Sequence, residues 1–250
     1  MPRTVLVTGG AKRLGAAIAR AVAAAGDRVV IHCGGSRDAA EALAKELGGA
    51  TVQGDLADNA AIPALFERAR EAAGGTIHGL VNSASAFEFD AAEAIDPALA
   101  ARLYAVNCTA PAMLAAALAG QGDLDDGAVV NLLDQKLANP NPDFFSYTCA
   151  KYALQGATTM LAQALSPRVR VNAVAPGLTL KSGDQSEAQF ARVASANLLR
   201  RPVGAEAVAE GVVYLLNARS VTGQTLHVDC GQRFLLRDGD VMFDGEHRRG

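Results

Sequence analysis

Tyr147 and Lys151 stand four residues apart in an Ala-rich amphipathic stretch, the spacing that puts two side chains on one helical face. A nearby ammonium stabilises tyrosinate, so such a pair would draw a phenol's pKa down from about 10 and make it a usable proton donor near neutrality. On an exposed helix the same pair would be an ordinary surface contact. Chemistry needs more. Far upstream, Thr8-Gly9-Gly10-Ala11-Lys12-Arg13-Leu14-Gly15 follows a β-branched run and precedes a helical pattern. Glycine there lets the backbone turn sharply and approach a pyrophosphate, while the helix N-terminus offers free N–H groups and a positive dipole end. Many strand-to-helix connections use glycine, but the position after the first strand points to a dinucleotide.

The second strand-like run, Arg28-Val29-Val30-Ile31-His32, sharpens that reading. A site for NADH would place Asp or Glu at its end to bond the adenosine 2′-hydroxyl. Residues 29–37 hold no acid; Ser36 and Arg37 follow the strand, and Lys12 and Arg13 project from the first turn. Cations with a hydroxyl suit a 2′-phosphate, because the guanidinium offers a planar fork of donors. The reading is NADPH, against the alternative that these are solvated surface charges.

Positioning these groups falls to alternating elements. Short apolar strands are expected at residues 5–7, 28–32, 51–53, 79–82, 128–133, 169–174 and 225–228. Helices are expected between them at 14–25, 38–47, 60–73, 97–118, 147–165, 186–197 and 205–216. Continuous apolar strands joined by helical crossovers predict an α/β fold: a Rossmann-like, doubly wound parallel sheet of about seven strands with helices on both faces. No linker or repeat divides the chain, so one domain is expected over residues 1–250, with a core at about 4–231 and a tail from 232. Turn-rich loops at 138–146 and 178–186 fall beyond the carboxyl ends of the fifth and sixth strands, where open parallel sheets bind ligands.

Composition narrows the function classes. The 250 residues are half apolar and one fifth charged, with a formal net charge of −3. Scattered Lys and Arg give no polyanion surface, so no nucleic-acid partner is expected. Charges interrupt each apolar stretch before the roughly 18–20 residues of a membrane span, and the N-terminus enters a strand without a signal-peptide pattern. Cys33, Cys108, Cys149 and Cys230 lie far apart, reading as reduced thiols of a cytoplasmic protein. The four dispersed histidines offer no metal-ligand cluster.

The glycine turn, Asn82-Ser83-Ala84-Ser85 after the fourth strand, Asn107, Tyr147-x-x-x-Lys151, Pro176-Gly177 and Val228-Asp229-Cys230-Gly231 occur in one order over residues 4–231. Together they resemble the short-chain dehydrogenase/reductase family. The Lys12-Arg13-Leu14-Gly15 turn and Asn82-Ser83-Ala84-Ser85-Ala86-Phe87 are similar to its pteridine reductase branch. So is Asp134, which stands thirteen residues before Tyr147 where most of the family carries a catalytic serine.

The resemblance implies roles. Tyr147 would be the proton donor, Lys151 would lower its pKa and hold the nicotinamide ribose, and Asn107 would support a water-linked proton path. Asp134 would assist proton delivery to a C=N bond, since an ionised carboxylate cannot donate to a carbonyl oxygen as serine does; its alternative is a loop cap. Gly9, Lys12, Arg13, Leu14, Gly15, Ser36, Arg37, Asp55, Leu56, Asn82, Ser83, Ala84, Tyr147, Lys151, Pro176, Gly177 and Thr179 would contact NADPH. Phe87, Asp134 and Tyr147 would meet the substrate, with Phe87 stacking on a pterin ring. The usual Asn-Asn-Ala-Gly turn is altered here, and Gly35 stands where the branch has Arg. The expectation is thus a cytoplasmic NADPH-dependent reductase of dihydropterin-like substrates, with a homotetramer implied by the family and a tail that either docks on a neighbour or frays. Alternatives are a carbonyl reductase or alcohol dehydrogenase, and a dinucleotide-sensing protein without catalysis.

Overall fold

Successive side chains of a strand point to opposite faces, and the apolar runs use both. The computed structural model describes residues 2–181, 187–236 and 239–240. Among these, β1 (Thr4–Thr8), β2 (Arg28–Cys33), β3 (Ala50–Gln53), β4 (Gly79–Asn82), β5 (Gly127–Leu132), β6 (Val169–Pro176) and β7 (Thr225–Val228) form one sheet. Every pair is parallel, in the order β3-β2-β1-β4-β5-β6-β7. The helices are α1 (Arg13–Ala24), α2 (Arg37–Leu47), α3 (Ile62–Ala73), α4 (Pro97–Tyr104), α5 (Ala110–Gly120), α6 (Phe145–Ala164), α7 (Glu187–Ala194) and α8 (Ala205–Asn217).

Val5, Val7, Ile31 and Val130 pack on one face with Ile18 and Val22 of α1, Leu43 of α2 and Val212 of α8. Leu6, Val30, Leu80 and Val129 pack on the other with Leu65 and Phe66 of α3 and Leu114 and Leu118 of α5. Coverage of both faces explains why the strands read as unbroken apolar runs. Truncating a side chain as enclosed as Leu80 to Ala would cost about 2–5 kcal/mol, so the sheet is a stiff platform. Strand order reverses between β1 and β4, opening a crevice beyond their carboxyl ends. Thr8 closes its floor: its hydroxyl donates to the Val81 carbonyl at 3.3 Å and accepts from Ala84 N–H at 3.1 Å.

Some expectations change. The single helix expected at 97–118 is α4 and α5 separated by a π-helical turn, Ala105–Thr109, an insertion that often accompanies function. The 24-residue stretch Pro97–Gly120 contains an 18-residue window of mean hydropathy 1.4 and is long and apolar enough to cross a bilayer, contrary to expectation. It serves as core instead: Leu103, Leu114, Ala115 and Leu118 are fully enclosed. Residues 182–186 of the expected loop, and 237–238 and 241–250 of the tail, lie outside the described residues. Val241-Met242-Phe243 fall there too.

Candidate active site

The glycine turn is held by a histidine. Gly9, at φ +61°, donates its N–H to Nδ1 of His32 at 3.2 Å, and Gly10 N–H reaches the His32 carbonyl at 3.0 Å. Gly9 N–H can only donate, so Nδ1 accepts and the proton sits on Nε2, which faces the Gly54 carbonyl at 3.1 Å. Burial pushes the His32 pKa down, in keeping with that neutral ring. A Cβ on Gly15 would lie 2.2 Å from the Gly9 carbonyl oxygen, so α1 begins hard against the turn. No side chain caps the α1 N-terminus and no acid occupies its first turn, so its dipole and N–H groups suit a phosphate.

The cations around this turn are differently placed. Arg13, a non-glycine residue at φ +52°, donates to the Lys181 carbonyl at 2.7 Å, and with Leu14 it lines the cleft. Lys12 is exposed at the N-cap position. Ser36 precedes α2 without capping it, and exposed Arg37 pairs with Glu41 at 2.7 Å. Asp55 accepts from Ala57 N–H at 2.9 Å, beside buried Leu56. These positions fit an NADPH ribose phosphate and adenine.

Two asparagines brace the turn after β4. Asn82 is buried and donates to Asn131 Oδ1 at 2.8 Å and the Pro111 carbonyl at 3.3 Å, fastening β4 to β5 and α5. Its side chain therefore points into the protein, leaving Ser83 and Ser85 on the cleft wall. Asn107, carried by the π turn, accepts from Ser85 Oγ at 2.9 Å and Ala86 N–H at 3.1 Å, and donates to the Ala86 carbonyl at 2.8 Å. These bonds hold the turn after β4 against the π turn.

Asp134, Tyr147 and Lys151 come together in a cleft of about 290 Å³, with Pro176, Gly177 and Thr179 on the same wall. Tyr147 donates its hydroxyl to Asp134 Oδ2 at 3.0 Å, and Lys136 N–H fixes Asp134 Oδ1 at 2.8 Å. Lys151 donates to the Leu132 carbonyl at 2.8 Å, its ammonium 5.7 Å from the centre of the Tyr147 ring.

The electrostatics overturn one expectation. Burial, then the charge and hydrogen bond of Asp134, push the Tyr147 phenol up, well above its ordinary value. The lysine does not offset this, because a carboxylate is the phenol's immediate partner and favours the protonated form. Burial also raises the Asp134 carboxyl and lowers Lys151 to about 8. A proton is thus retained on the phenol and shared toward a carboxyl of raised pKa.

Phe87 stacks on Phe144 (centroids 4.2 Å, planes 17° apart) and meets Tyr147 edge-on at 4.8 Å, leaving it 42% exposed at the cleft. Phe144 adopts φ +53° just before α6. Buried Asp90 steadies that helix start by accepting the Ser146 N–H at 2.9 Å and bonding its hydroxyl. His32, Asp90 and Lys136 were not singled out from the sequence. A histidine inside an apolar strand run was the one available signal; nothing local marks Asp90 or Lys136.

Known proteins resemble this chain along most of its length. A family model described as enoyl-(acyl carrier protein) reductase matches residues 9–233. The solved structure of FolM alternative dihydrofolate reductase 1 from Brucella canis, complexed with NADP, superposes with a TM-score of 0.89 at 41% identity, covering 95% of this chain and 96% of that one. Pteridine reductase 1 of Leishmania tarentolae is 33% identical, over 90% of this chain and 94% of its own. Dihydromonapterin reductase of Klebsiella pneumoniae is 25% identical, over 92% and 97% respectively.

Proposed function

The chain belongs to the short-chain dehydrogenase/reductase family, and from that premise we propose that it is an NADPH-dependent reductase of pteridine-type substrates, acting on the C=N bond of a dihydropterin or dihydrofolate-like ring. The carrying observation is the 3.0 Å bond between the Tyr147 hydroxyl and Asp134 inside the cleft. A carboxylate there can accept from ring N–H and amino groups, or relay a proton; it cannot activate a carbonyl as a hydroxyl does.

When bound, NADPH supplies hydride. The glycine turn and the α1 N-terminus would hold its pyrophosphate, with Lys12, Arg13, Ser36 and Arg37 around the 2′-phosphate. Asp55 and Leu56 would flank the adenine, and Ser83, Ala84, Lys151, Pro176, Gly177 and Thr179 the nicotinamide half. Tyr147 carries a proton at Oη and gives it to the ring nitrogen, and Asp134 takes up a proton from solvent and relays it to the phenolate. Lys151, still mostly an ammonium at neutral pH, stabilises that transient anion. Phe87 offers a half-exposed aromatic face to a planar heterocycle.

The test is NADPH oxidation by the purified protein with dihydrobiopterin, dihydrofolate and a panel of ketones. Turnover of a pteridine is expected; turnover of ketones alone would defeat the reading. We further propose a cytoplasmic homotetramer. Exposed Leu198, Leu199, Tyr214 and Phe234 support association, and light scattering of the purified protein would give the mass.

A further inference from the structure

Lys136 is a buried cation with no part in the chemistry above. It stands two residues after Asp134, with only 6% of its side chain exposed. Its ammonium meets three groups: the Asp143 carbonyl at 2.6 Å, the Asp240 carboxylate at 3.3 Å, and the Phe144 ring, whose centre is 5.6 Å away. Asp240 returns its own N–H to Asp143 Oδ2 at 2.7 Å, closing a ring of contacts. Two more bonds fasten the same end of the chain. Asn139 donates to the Leu235 carbonyl, and Gln232 Oε1 accepts Leu178 N–H at 2.9 Å.

The placement matters because Gln232, Leu235 and Asp240 all line the cleft that holds Asp134 and Tyr147. Taking an ammonium out of water is costly unless its donors are filled, and loss of one partner leaves a buried charge uncompensated. Lys136 therefore holds three segments in one arrangement: the turn after β5, the residues leading into α6, and the stretch bearing Leu235 and Asp240. It touches neither reacting group through its side chain, yet its N–H fixes Asp134, and Phe144 beneath its ammonium packs against Phe87.

We infer that Lys136 is a positioning residue that, through Asp240, pins the stretch bearing Leu235 and Asp240 as a wall of the substrate cleft. In its consequence for pteridine affinity the inference rests on the proposed function.

Lys136→Met, Asp240→Asn, their double variant and Lys136→Arg, all in the full chain, test it by two readouts. Hydrogen exchange at the Leu235 and Asp240 amides should accelerate about tenfold or more in either single variant, since a local opening is made easier. The KM for dihydrobiopterin should rise about tenfold, with kcat and NADPH affinity within about twofold, as expected when ground-state and transition-state binding are lost together. The double variant should match either single one because the two residues act as a unit, and Lys136→Arg should restore most of the loss. Unchanged exchange overturns the pinning, as does additive loss in the double variant. Faster exchange with an unchanged KM overturns the role in the cleft, and a parallel fall in NADPH affinity reduces Lys136 to general support. If Lys136→Met fails to fold, Asp240→Asn carries the same test. Were the wild-type protein to reduce no pteridine, the proposed function would fall, and the exchange measurements would still decide the pinning.

Discussion

The two ends of the proposed cofactor and substrate site are built on opposite plans. At the chemical end Tyr147 and Lys151 are buried, Asp134 faces the cleft from one side, and all three have fixed hydrogen-bond partners. At the proposed phosphate end Lys12, Arg13 and Arg37 stand at the surface, with Arg13 bonded to the Lys181 carbonyl and Arg37 to Glu41. A proton transfer needs pKa values moved by burial and near charges, and those require a rigid enclosure. Holding a phosphate needs charge density, which survives exposure and rearrangement. One end should be intolerant of change and the other adjustable.

The largest effect should come from Tyr147→Phe, which removes the proton while leaving the ring packing. Pteridine turnover should fall by ~10²-fold or more with NADPH affinity retained, read by steady-state rates and cofactor titration. Asp134→Ser should lower pteridine reduction by roughly tenfold or more and spare or improve ketone reduction. Equal losses on both substrates would erase the distinction between carboxylate and hydroxyl. Next comes pH. Lys151 is charged below about 8 and neutral above it, whereas Tyr147 stays protonated across that range. Activity should therefore hold at neutral pH and decline as pH rises through about 8, and Lys151→Arg should move that decline upward if any activity remains. The smallest effect belongs to Arg37→Ala: about a threefold rise in the KM for NADPH, shrinking as salt is added, because an exposed charge is screened. A hundredfold loss there would break the contrast between the two ends.

Much of this architecture was readable before any coordinates. The strand at Gly79–Asn82 and the crossover pattern follow from apolar runs and helical periodicity, and parallel strands put every βα turn on one edge. The pairing of Asp134 with Tyr147 came from the family resemblance, and the fold places both after β5, Asp134 at the strand's end and Tyr147 in α6. What stayed hidden depended on side-chain direction and distant packing. Proximity of Lys151 suggested an acidified phenol, but the carboxylate reached the hydroxyl and the ammonium turned to the Leu132 carbonyl. His32 meets Gly9 across 23 residues and Lys136 meets Asp240 across 104, spacings with no local pattern. Asn107 was recognisable as a residue; its hold on Ser85 and Ala86 was not, because the π turn that aims it leaves no periodic trace.

That turn has a consequence for how the chain tolerates insertion and deletion. An α-helix advances roughly 100° per residue, so removing one residue from Ala105–Thr109 would either close the π turn into plain α-helix or swing everything downstream by about that angle relative to α4. Either Asn107 would lose sight of Ser85, or Leu114 and Leu118 would rotate off the sheet. A single-codon loss here would injure the protein more than most replacements of the amino acids themselves, so length, more than composition, is what this short stretch must keep.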